Sequence, residues 1–528
     1  MISVNNVSLT YGTDKLFSET NLIFSPGNCY GIIGANGAGK STFLKVLSGA
    51  LEPSTGNVSI APGLRMTVLE QDQNKYDSLP VLEAVYRGNA RLYEIIRQKN
   101  ELYAKADFSE QDGVLAGELE AEFSEIGGWE AEADAAKMLS GLGLPVEQQD
   151  RQMADLNGRE KVKVLLAQAL FGQPDVILLD EPTNNLDFAS VNWLEDFLLD
   201  FEGTVILVSH DRHFLNTVCT HIVDIDYTKI KLYVGNYDFW YDSSQLMQKL
   251  MRDQNRKMEE KAKDLQEFIA RFSANKSKAR QATSRKKLLD NLNFEEMPAS
   301  SRRYPWVGIS PARELGKDIL FVEGLSKSIN GEVVLDNLSF ILNRDDKVAF
   351  MGDNELAVTT LFRILMGETE ADAGSIKWGV STSQSYFPRD YTEFFEGHDE
   401  TLLQWLAPYS SDLHESYLRQ FLGRMLFSGD DVFKKVNVLS GGERVRCMLS
   451  RMMLSHANVL LLDQPTNHLD LESIAALNNG LAEFRGVVLF STHDHQLIQT
   501  VANRIMEFRG SKLMDYRSTL DEYIQNAR

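Results

Sequence analysis

The sequence has few cysteines and no long apolar run. Its three cysteines, Cys29, Cys219 and Cys447, are far apart among 528 residues and follow neither metal-ligand nor disulfide-framework spacing. This spacing argues against an iron–sulfur or structural zinc site and favours reduced thiols in a cytosolic protein. No run of 18 or more apolar residues occurs, so no membrane span is expected. The first residues, MISVNNVSLTYG, lack the basic and apolar regions of a secretory signal.

The net charge of the chain is −21, which argues against a general affinity for nucleic acid. Residues 271–287 depart from this average because they include seven basic residues and no acidic one. Such a cluster can neutralise phosphates and bind RNA in a salt-dependent way. A solvated helix and turn is the alternative, as for most charge runs. The basic residues are Arg271, Lys276, Lys278, Arg280, Arg285, Lys286 and Lys287.

The chain contains two copies of a long repeat. LLDEPTNNLD ends at Asp187, and LLDQPTNHLD ends at Asp470, 283 positions later. Gly34 of GANGAGKS instead pairs with Gly352 of GDNELAVT at an offset of 318. The first half therefore carries about 35 extra residues between its phosphate loop and its LNGRE segment. Helix-type apolar spacing predicts a short helical hairpin there, within residues 88–135, and a harmless surface insertion is the alternative.

Residues 243–296 connect the two copies with long polar, helix-forming runs. Their apolar spacing predicts two helices with a turn near residues 273–275. Several prolines after residue 297 then mark a loop that leads into the second copy. The predicted regions are a first domain over 1–240, a basic helical linker over 241–305 and a second domain over 306–528.

Residues 34–41 form a complete G-x-x-x-x-G-K-[ST] phosphate loop between an apolar strand and a helical segment. Glycines let backbone N–H groups curl around phosphate oxygens, and the helix N-terminus adds a favourable dipole. Lys40 would supply a positive charge to the outer phosphates, and Ser41 would place its hydroxyl on Mg²⁺. The residues predicted to bind the nucleotide here are Gly34, Asn36, Gly37, Ala38, Gly39, Lys40, Ser41 and Thr42.

Two further strands predict the catalytic groups. Residues 176–181 form an apolar run that ends in two acids, where an α/β sheet places its chemistry. Asp180 would hold Mg²⁺ through water, and Glu181 would orient or deprotonate the attacking water. Residues 204–211 form a similar run that reaches His210, which can hydrogen-bond a γ-phosphate. Exposed loop acids and a structural histidine are the alternative interpretations.

Residues 439–443, LSGGE, are similar to the LSGGQ signature of the ABC ATPase family. In that family the signature precedes a helix and faces the γ-phosphate held by the other domain. The resemblance implies this role for Ser440, Gly441, Gly442 and Glu443. Tyr11 resembles the aromatic residue that stacks on adenine, and Gln71 resembles the Q-loop glutamine that senses Mg²⁺.

More narrowly, the chain resembles the ABC-F proteins, and among them the YbiT-like branch, over nearly its whole length. Tandem ATPase domains without membrane spans, joined by a charged linker, are typical of that family. So are the segments DEPTNNLD, SHDRHFLNTVCTHIVDID, GNYDFW and RFSANKSKARQATSR. The resemblance implies an α/β fold with two tandem ABC-type P-loop ATPase domains, a basic α-helical linker and a short helical arm in the first domain.

The same resemblance implies what the protein does. It implies a cytoplasmic ATPase that uses ATP and Mg²⁺ and binds the ribosome, with the linker close to peptidyl-tRNA. ATP binding and hydrolysis would gate association and release. The RNA interpretation of the basic linker is strengthened accordingly, with rRNA and peptidyl-tRNA as partners. The chain is expected to be a monomer whose two ATPase domains pair with each other.

The second half departs from the family pattern throughout its nucleotide site. Two loop glycines are replaced by Glu355 and Ala357, and the lysine is replaced by Val358. Loss of a charge-assisted contact costs about 1.5–3 kcal/mol, and an acid beside a triphosphate adds repulsion. A tolerated variant that still binds ATP is the alternative. The residues of this degenerate site are Ile329, Gly352, Glu355, Ala357, Val358, Thr359, Asp463, Gln464, His493 and, in the first-half signature, Asn157.

These losses fall on one composite site. In the head-to-tail ABC dimer each site joins the phosphate loop of one domain to the signature of the other. The intact first loop would therefore meet the intact LSGGE, and the altered second loop would meet the altered LNGRE. The sequence predicts one hydrolysing site and one largely structural site. A deliberate substitution at Gln464 would not explain Val358, Ile329 and Asn157.

Three other functions remain open from the sequence. The energising subunit of a membrane transporter would need a groove for a membrane partner but no long basic linker. A DNA-maintenance ATPase usually carries long coiled coils or zinc modules, which this sequence lacks. A regulatory pseudo-ATPase is disfavoured by the intact first phosphate loop.

Overall fold

The computed structural model describes residues 1–11, 14–105, 107–184, 186–272, 284, 302–352 and 354–527. By their contacts they divide into two compact units. Unit 1 comprises Met1–Leu64, Phe201–Leu207 and Leu215–Ser301, and unit 2 comprises Arg65–Asp200, Val208–Phe214 and Arg302–Arg528. Unit 2 therefore contains segments of both copies of the repeat.

The strands are, in chain order, β1 Ile2–Tyr11, β2 Asp14–Phe24, β3 Asn28–Gly34, β4 Thr55–Ile60, β5 Met66–Val68, β6 Val176–Asp180, β7 Thr204–Val208, β8 His221–Asp226, β9 Lys229–Val234, β10 Leu320–Ile329, β11 Glu332–Leu342, β12 Lys347–Gly352, β13 Ala373–Trp378, β14 Gln384–Phe387, β15 Val459–Asp463, β16 Val487–Ser491, β17 Arg504–Arg509 and β18 Lys512–Tyr516.

The α-helices are, in chain order, α1 Lys40–Leu47, α2 Val81–Tyr86, α3 Ala90–Tyr103, α4 Glu110–Glu125, α5 Ala131–Gly141, α6 Val146–Gln149, α7 Gly158–Leu170, α8 Phe188–Leu199, α9 Arg212–Val218, α10 Tyr237–Phe272, α11 Glu355–Leu365, α12 Leu402–Leu406, α13 Glu415–Arg424, α14 Gly441–Leu454, α15 Leu471–Glu483, α16 His495–Val501 and α17 Leu520–Ala527. Short 3₁₀ turns cover Met153–Asp155, Thr392–Phe394, Ala407–Tyr409, Gly429–Phe433 and Val436–Val438.

Unit 1 contains an antiparallel sheet with the strand order β2-β1-β4. Beside it lies a second group of strands, in which β3 pairs in parallel with β8 and β8 pairs in antiparallel with β9. Strand β3 is buried from its second residue onwards, as its apolar sequence CYGII requires. It leads the chain out of the core at Gly34, where the first phosphate loop begins.

Unit 2 contains a six-stranded sheet with the order β14-β15-β16-β12-β17-β18. All neighbouring pairs are parallel except β17 with β18. The central strands β15 (VLLLD) and β16 (VVLFS) are buried along their whole length, because their residues are apolar on both faces. A three-stranded antiparallel sheet, β11-β10-β13, packs into the same core. The predicted α/β fold class is confirmed.

Helices α3 and α4 form a hairpin in the stretch where the sequence predicts an insertion. The Nζ atom of Lys99 on α3 lies 3.0 Å from a carboxylate oxygen of Glu120 on α4. The hydroxyl of Tyr103 donates to the same carboxylate at 3.1 Å. Lys99 also lies over the ring of Phe123, 3.8 Å from its centroid. Charge and aromatic contacts therefore hold the two helices together.

Helix α10 is the first of the two helices predicted in the linker, and it is 36 residues long. Arg271 falls in its last turn, whereas the other six predicted RNA-binding residues lie outside the described residues. No helix in the described part of the chain combines the length and the apolar composition that crossing a bilayer requires.

Two of the three cysteines lie close together in unit 1. The Sγ atoms of Cys29 and Cys219 are 3.9 Å apart, and both residues are buried. The two residues are distant in the sequence, and the parallel pairing of β3 with β8, which sets Tyr30 opposite His221, brings the chain segments that carry them together. All three cysteines are free thiols, and burial raises the pKa of Cys219.

Candidate functional site

The first phosphate loop connects β3 to α1 in unit 1. Gly37 and Gly39 have φ values of +82° and +99°, which glycine adopts without steric cost. At Gly34 a Cβ atom would lie 2.7 Å from the carbonyl oxygen of Ile225, so a larger residue would not fit. The Nζ atom of Lys40 donates to the carbonyl oxygens of Gly34 and Ala35, at 2.8 and 3.4 Å. The loop therefore has the backbone that a phosphate cradle requires.

The other residues predicted to bind nucleotide here lie along the loop and at the start of α1. Asn36 and Ala38 lie in the loop itself, and Ser41 and Thr42 lie in the first turn of α1. Ser41 is exposed at the N-terminal end of the helix. Tyr11 is the last residue of β1, where its backbone pairs with Asp14.

The predicted acids meet their partners in unit 2. Asp180 ends β6, and its carboxylate accepts a hydrogen bond from the side-chain amide of Gln71 at 2.8 Å. Glu181 follows with φ of +53°, a conformation that non-glycine residues rarely adopt. Its backbone N–H donates to the carbonyl oxygen of Val208 at 2.9 Å. The chain therefore changes direction directly after the strand, at the second of the two acids.

Glu181 and His210 are in direct contact. The backbone N–H of His210 donates to one carboxylate oxygen of Glu181 at 3.1 Å. The Nε2 atom of His210 lies 3.3 Å from the other oxygen. A carboxylate beside an imidazole can accept a proton from water and orient it, which is the chemistry predicted for this pair.

The donor set around Asp180 fits Mg²⁺. This ion prefers oxygen ligands and keeps several waters, so it needs only one or two protein groups together with phosphate oxygens. In unit 2 the Nε2 atom of Gln71 donates to a carboxylate oxygen of Asp180 at 2.8 Å, and in unit 1 Ser41 is exposed at the start of α1. Within unit 2, Asp180 and Gln71 carry side-chain oxygens of the kind that would hold the ion.

The signature motif lies at the N-terminus of α14. Ser440 caps this helix in a capping box, in which its hydroxyl accepts from the N–H of Glu443 and the Glu443 carboxylate accepts from the N–H of Ser440. Ser440 and Gly441 are exposed, and Gly442 is partly buried. The cap presents the first backbone N–H groups of the helix at the surface, where they can bind an anion.

The first-half signature keeps this cap and loses its glycine. Asn157 caps α7 in the same type of capping box, with Glu160 as its partner. Arg159 occupies the position of Gly442 and fills the surface beside the helix N-terminus. Asn157 therefore preserves the local fold, and the main change is the added guanidinium group.

The second phosphate-loop position is a helix, not a loop. Helix α11 begins at Glu355, three residues before Val358, whereas α1 begins at the equivalent Lys40. The N–H of Ala357 donates to Asn354, its backbone oxygen at 3.1 Å and its side-chain oxygen at 3.0 Å. The N–H groups that cradle phosphate in a P-loop are therefore redirected into helix formation. Val358 is 4% exposed and belongs to the apolar core.

The metal-ligand positions of the second half are bonded to each other. Thr359 donates its hydroxyl to the carboxylate of Asp463 at 2.5 Å, and Ser491 donates to the same carboxylate at 2.8 Å. Burial raises the pKa of Asp463. At the adenine-stacking position Ile329 ends β10 and packs against the core.

Gln464 repeats the backbone of Glu181 without its charge. Its φ is +54°, and its N–H donates to the carbonyl oxygen of Ser491 at 3.0 Å. The two positions therefore differ in the side chain and not in the turn that presents it. A carboxamide cannot act as a carboxylate base.

Three charged or polar groups of the second site converge on one carboxylate, which the sequence did not predict. Glu355 contacts Arg159, Arg389 and His493. The signal for these contacts in the sequence was the appearance of opposite charges in the two altered motifs, LNGRE and GDNELAVT.

Gly352, which ends β12, keeps its glycine for a steric reason. Its φ is +119°, and it lies too close to Phe508 for any side chain.

These residues define a class of protein. Each half has a phosphate-loop position after a buried parallel strand, acids or their replacements at the end of another strand, and a capped signature helix. This arrangement is that of a tandem P-loop ATPase with ABC-type signatures.

Comparison with known proteins agrees with this class. A family profile described as ABC transporter matches residues 17–184 and 335–467, and a second profile with that description matches residues 223–306. The ABC transporter ATP-binding protein YkpA of Bacillus subtilis (strain 168) is 62% identical over 528 residues, covering 100% of this chain and 98% of its own. The probable ATP-binding protein YbiT of Escherichia coli O157:H7 is 40% identical over 528 residues, covering 100% and 99%.

Among solved structures, the archaeal ribosome recycling factor aABCE1, in complex with the ribosomal stalk protein aP1, matches with a TM-score of 0.61. Its identity is 18%, and the match covers 99% of this chain and 92% of that chain. At this identity the likeness concerns the fold. The chain belongs to the ABC-F family of ATP-binding proteins, as the sequence predicts. It contains two ABC ATPase domains, and domains of this type bind and hydrolyse ATP.

A substitution at Glu181 tests whether its carboxylate takes part in ATP hydrolysis. Glu181→Gln keeps the size of the side chain and removes the base, so we expect ATP hydrolysis to fall by about 10²–10⁴-fold while ATP binding persists. Phosphate release and equilibrium dialysis measure the two quantities. The matched control is Gln464→Glu, which has the same backbone conformation and should leave the rate unchanged. Wild-type hydrolysis by Glu181→Gln would contradict the assignment.

Proposed function

We propose that this chain is a ribosome-associated ATPase with one hydrolysing composite site. The observation that carries the proposal is the asymmetry of the two phosphate-loop positions. One is a glycine-rich loop with Lys40, and the other is a helix that begins with Glu355. Each composite site would combine one phosphate loop with the signature of the other half. The competent site would then use Ser440 and the residues that follow it.

In the competent site each residue has a chemical role. Tyr11 stacks on adenine, Lys40 and the loop N–H groups bind the outer phosphates, and Glu181 accepts a proton from the attacking water. His210 orients this water and the γ-phosphate. The capped N-terminus of α14 adds N–H donors. When bound at Ser41, Gln71 and Asp180, Mg²⁺ neutralises charge on the phosphate oxygens.

We propose the ribosome as the partner because the chain belongs to the ABC-F family and because its basic segment lies within an acidic chain of net charge −21. Residues 1–240, the linker 241–305 and residues 306–528 would be the functional divisions. ATP-driven pairing of the two ATPase domains within a cytoplasmic monomer would reorient the linker towards rRNA and peptidyl-tRNA, and hydrolysis would release it.

The number of bound nucleotides tests the asymmetry. We expect one tight ATP per chain, because the second position lacks both the phosphate cradle and its lysine. Equilibrium dialysis with Glu181→Gln gives this number without turnover. Lys40→Ala removes the charge-assisted phosphate contact and should abolish both the tight binding and most hydrolysis. Tight binding of two ATP molecules per chain would contradict the proposal.

The two helix caps form a matched pair that tests the composite site. Ser440→Ala and Asn157→Ala each remove an N-cap and should each lower the free energy of unfolding by about 1 kcal/mol. Only Ser440→Ala should slow ATP hydrolysis, because α14 completes the competent site. Thermal unfolding and phosphate release measure the two effects. Equal loss of activity in both variants would contradict the assignment of α14 alone to hydrolysis.

Ribosome pelleting tests the partner. In ATP we expect Glu181→Gln to remain on ribosomes, because the closed state forms and cannot hydrolyse its nucleotide. The wild type should cycle off. The same pelleting is done with membrane vesicles in place of ribosomes, because a transporter subunit would sediment with the vesicles. If neither variant sediments with ribosomes in an ATP-dependent way, the ribosomal function fails.

A further inference from the structure

We propose that the carboxylate of Glu355 is the resident anion of the second site. There it takes the place of nucleotide phosphate and keeps the N-terminus of α7 bound to the N-terminus of α11 throughout the ATP cycle. The inference deepens the proposed function and rests on its assignment of a second site that does not hydrolyse ATP. In addition, the Glu355 carboxylate would keep the second site closed, so that this site would not open when nucleotide leaves the first site.

Three donors from separate parts of unit 2 meet at this carboxylate. Guanidinium groups of Arg159, in the first turn of α7, and Arg389, after β14, both contact Oε2 of Glu355. The Nε2 atom of His493, after β16, lies 2.7 Å from Oε1. Only 11% of the Glu355 side chain is exposed. Both carboxylate oxygens are therefore satisfied, as a partly buried charge requires.

The donors stand at the positions that contact nucleotide in an intact site. Arg159 is in the signature motif, Arg389 is at the Q-loop position, and His493 is equivalent to His210. Glu355 replaces Gly37 of the first loop. The site has therefore lost its phosphate cradle and its lysine, but it still gathers groups that bind an anion. The anion that they bind is supplied by the chain.

The electrostatics favour a carboxylate at this place. Glu355 is the first residue of α11, where the helix dipole stabilises negative charge. Burial, together with the charges of Arg159 and Arg389, lowers the pKa of His493 to about 4. The imidazole is therefore neutral near pH 7, and since a carboxylate only accepts, Nε2 carries the hydrogen. Two positive charges and one neutral donor thus surround a single negative charge.

The cleft beside Glu355 shows why this charge would exclude nucleotide. It has a volume of about 670 Å³ and is lined by residues that include Asn157, Arg159, Glu355, Thr359 and Arg389. A triphosphate entering it would meet the Glu355 carboxylate while the two arginines are already neutralised in part. The Thr359–Asp463 hydrogen bond also occupies the side chains that would hold a metal ion.

Removal of the resident anion should create a vacancy that a free anion can fill. We choose Glu355→Ala, because alanine keeps the helix and leaves space. All proteins carry Lys40→Ala so that the first loop does not bind the probe. The matched control is Glu368→Ala, which removes another acid of the second half whose partner, Arg363, is 3.7 Å away and well exposed. The probe is inorganic phosphate.

We expect Glu355→Ala to lower the thermal midpoint by several degrees and phosphate to restore at least half of that loss. Phosphate should shift the parent and Glu368→Ala by less than one degree. Adding Arg159→Met to Glu355→Ala should abolish the rescue. An equal phosphate effect in Glu355→Ala and Glu368→Ala, or no rescue in a folded Glu355→Ala, overturns the proposal.

Amide hydrogen exchange on the unsubstituted protein tests the same proposal and does not depend on whether Glu355→Ala folds. Protection at the first turns of α7 and α11 should differ by less than twofold between the nucleotide-free, ADP and ATP states. Protection at the first turn of α14 should rise at least tenfold with ATP. If α7 and α11 change as much as α14 while one ATP binds per chain, this inference fails and the proposed function stands. Tight binding of two ATP molecules per chain would contradict both this inference and the proposed function.

Discussion

A strand that is buried on both faces can present its polar side chains only at its ends, and this constraint places the phosphate-loop positions and the acids of the candidate sites. Strands β3, β6, β12 and β15 are all of this kind. Each one releases the chain at a residue with special backbone geometry or a polar side chain. These polar groups therefore lie at strand ends because the interior of the sheet excludes them.

The same constraint explains how much the sequence could predict. The loop around Lys40, the acids after β6 and the signature before α14 are local patterns in which residue type and strand end coincide. The contact of Arg159 with Glu355 was not predicted, because it depends on how segments from the two copies of the repeat pack in unit 2. The approach of Cys29 to Cys219 was missed for a similar reason, since it depends on strand register.

The helical character of residues 355–357 was also missed, although its cause is visible in the sequence. Alignment with the first half treats these residues as a damaged loop. Local propensity, however, favours a helix once both glycines are gone, and Asn354 is a suitable N-cap. The signature motifs show the opposite case, since Asn157 and Ser440 differ in chemistry but build the same cap. The helix cap is therefore kept although the chemistry of the capping side chain changes.

The extension of α11 by three residues has a consequence for restoring the second phosphate loop. Restoring a nucleotide loop needs glycine at positions 355 and 357 and lysine at position 358. A lysine alone at position 358 would enter a side-chain environment that is apolar and 4% exposed. A glycine alone would weaken a helix without forming a cradle. We therefore expect that no one of these substitutions alone would give the second position a phosphate cradle, and that only the combined change would do so.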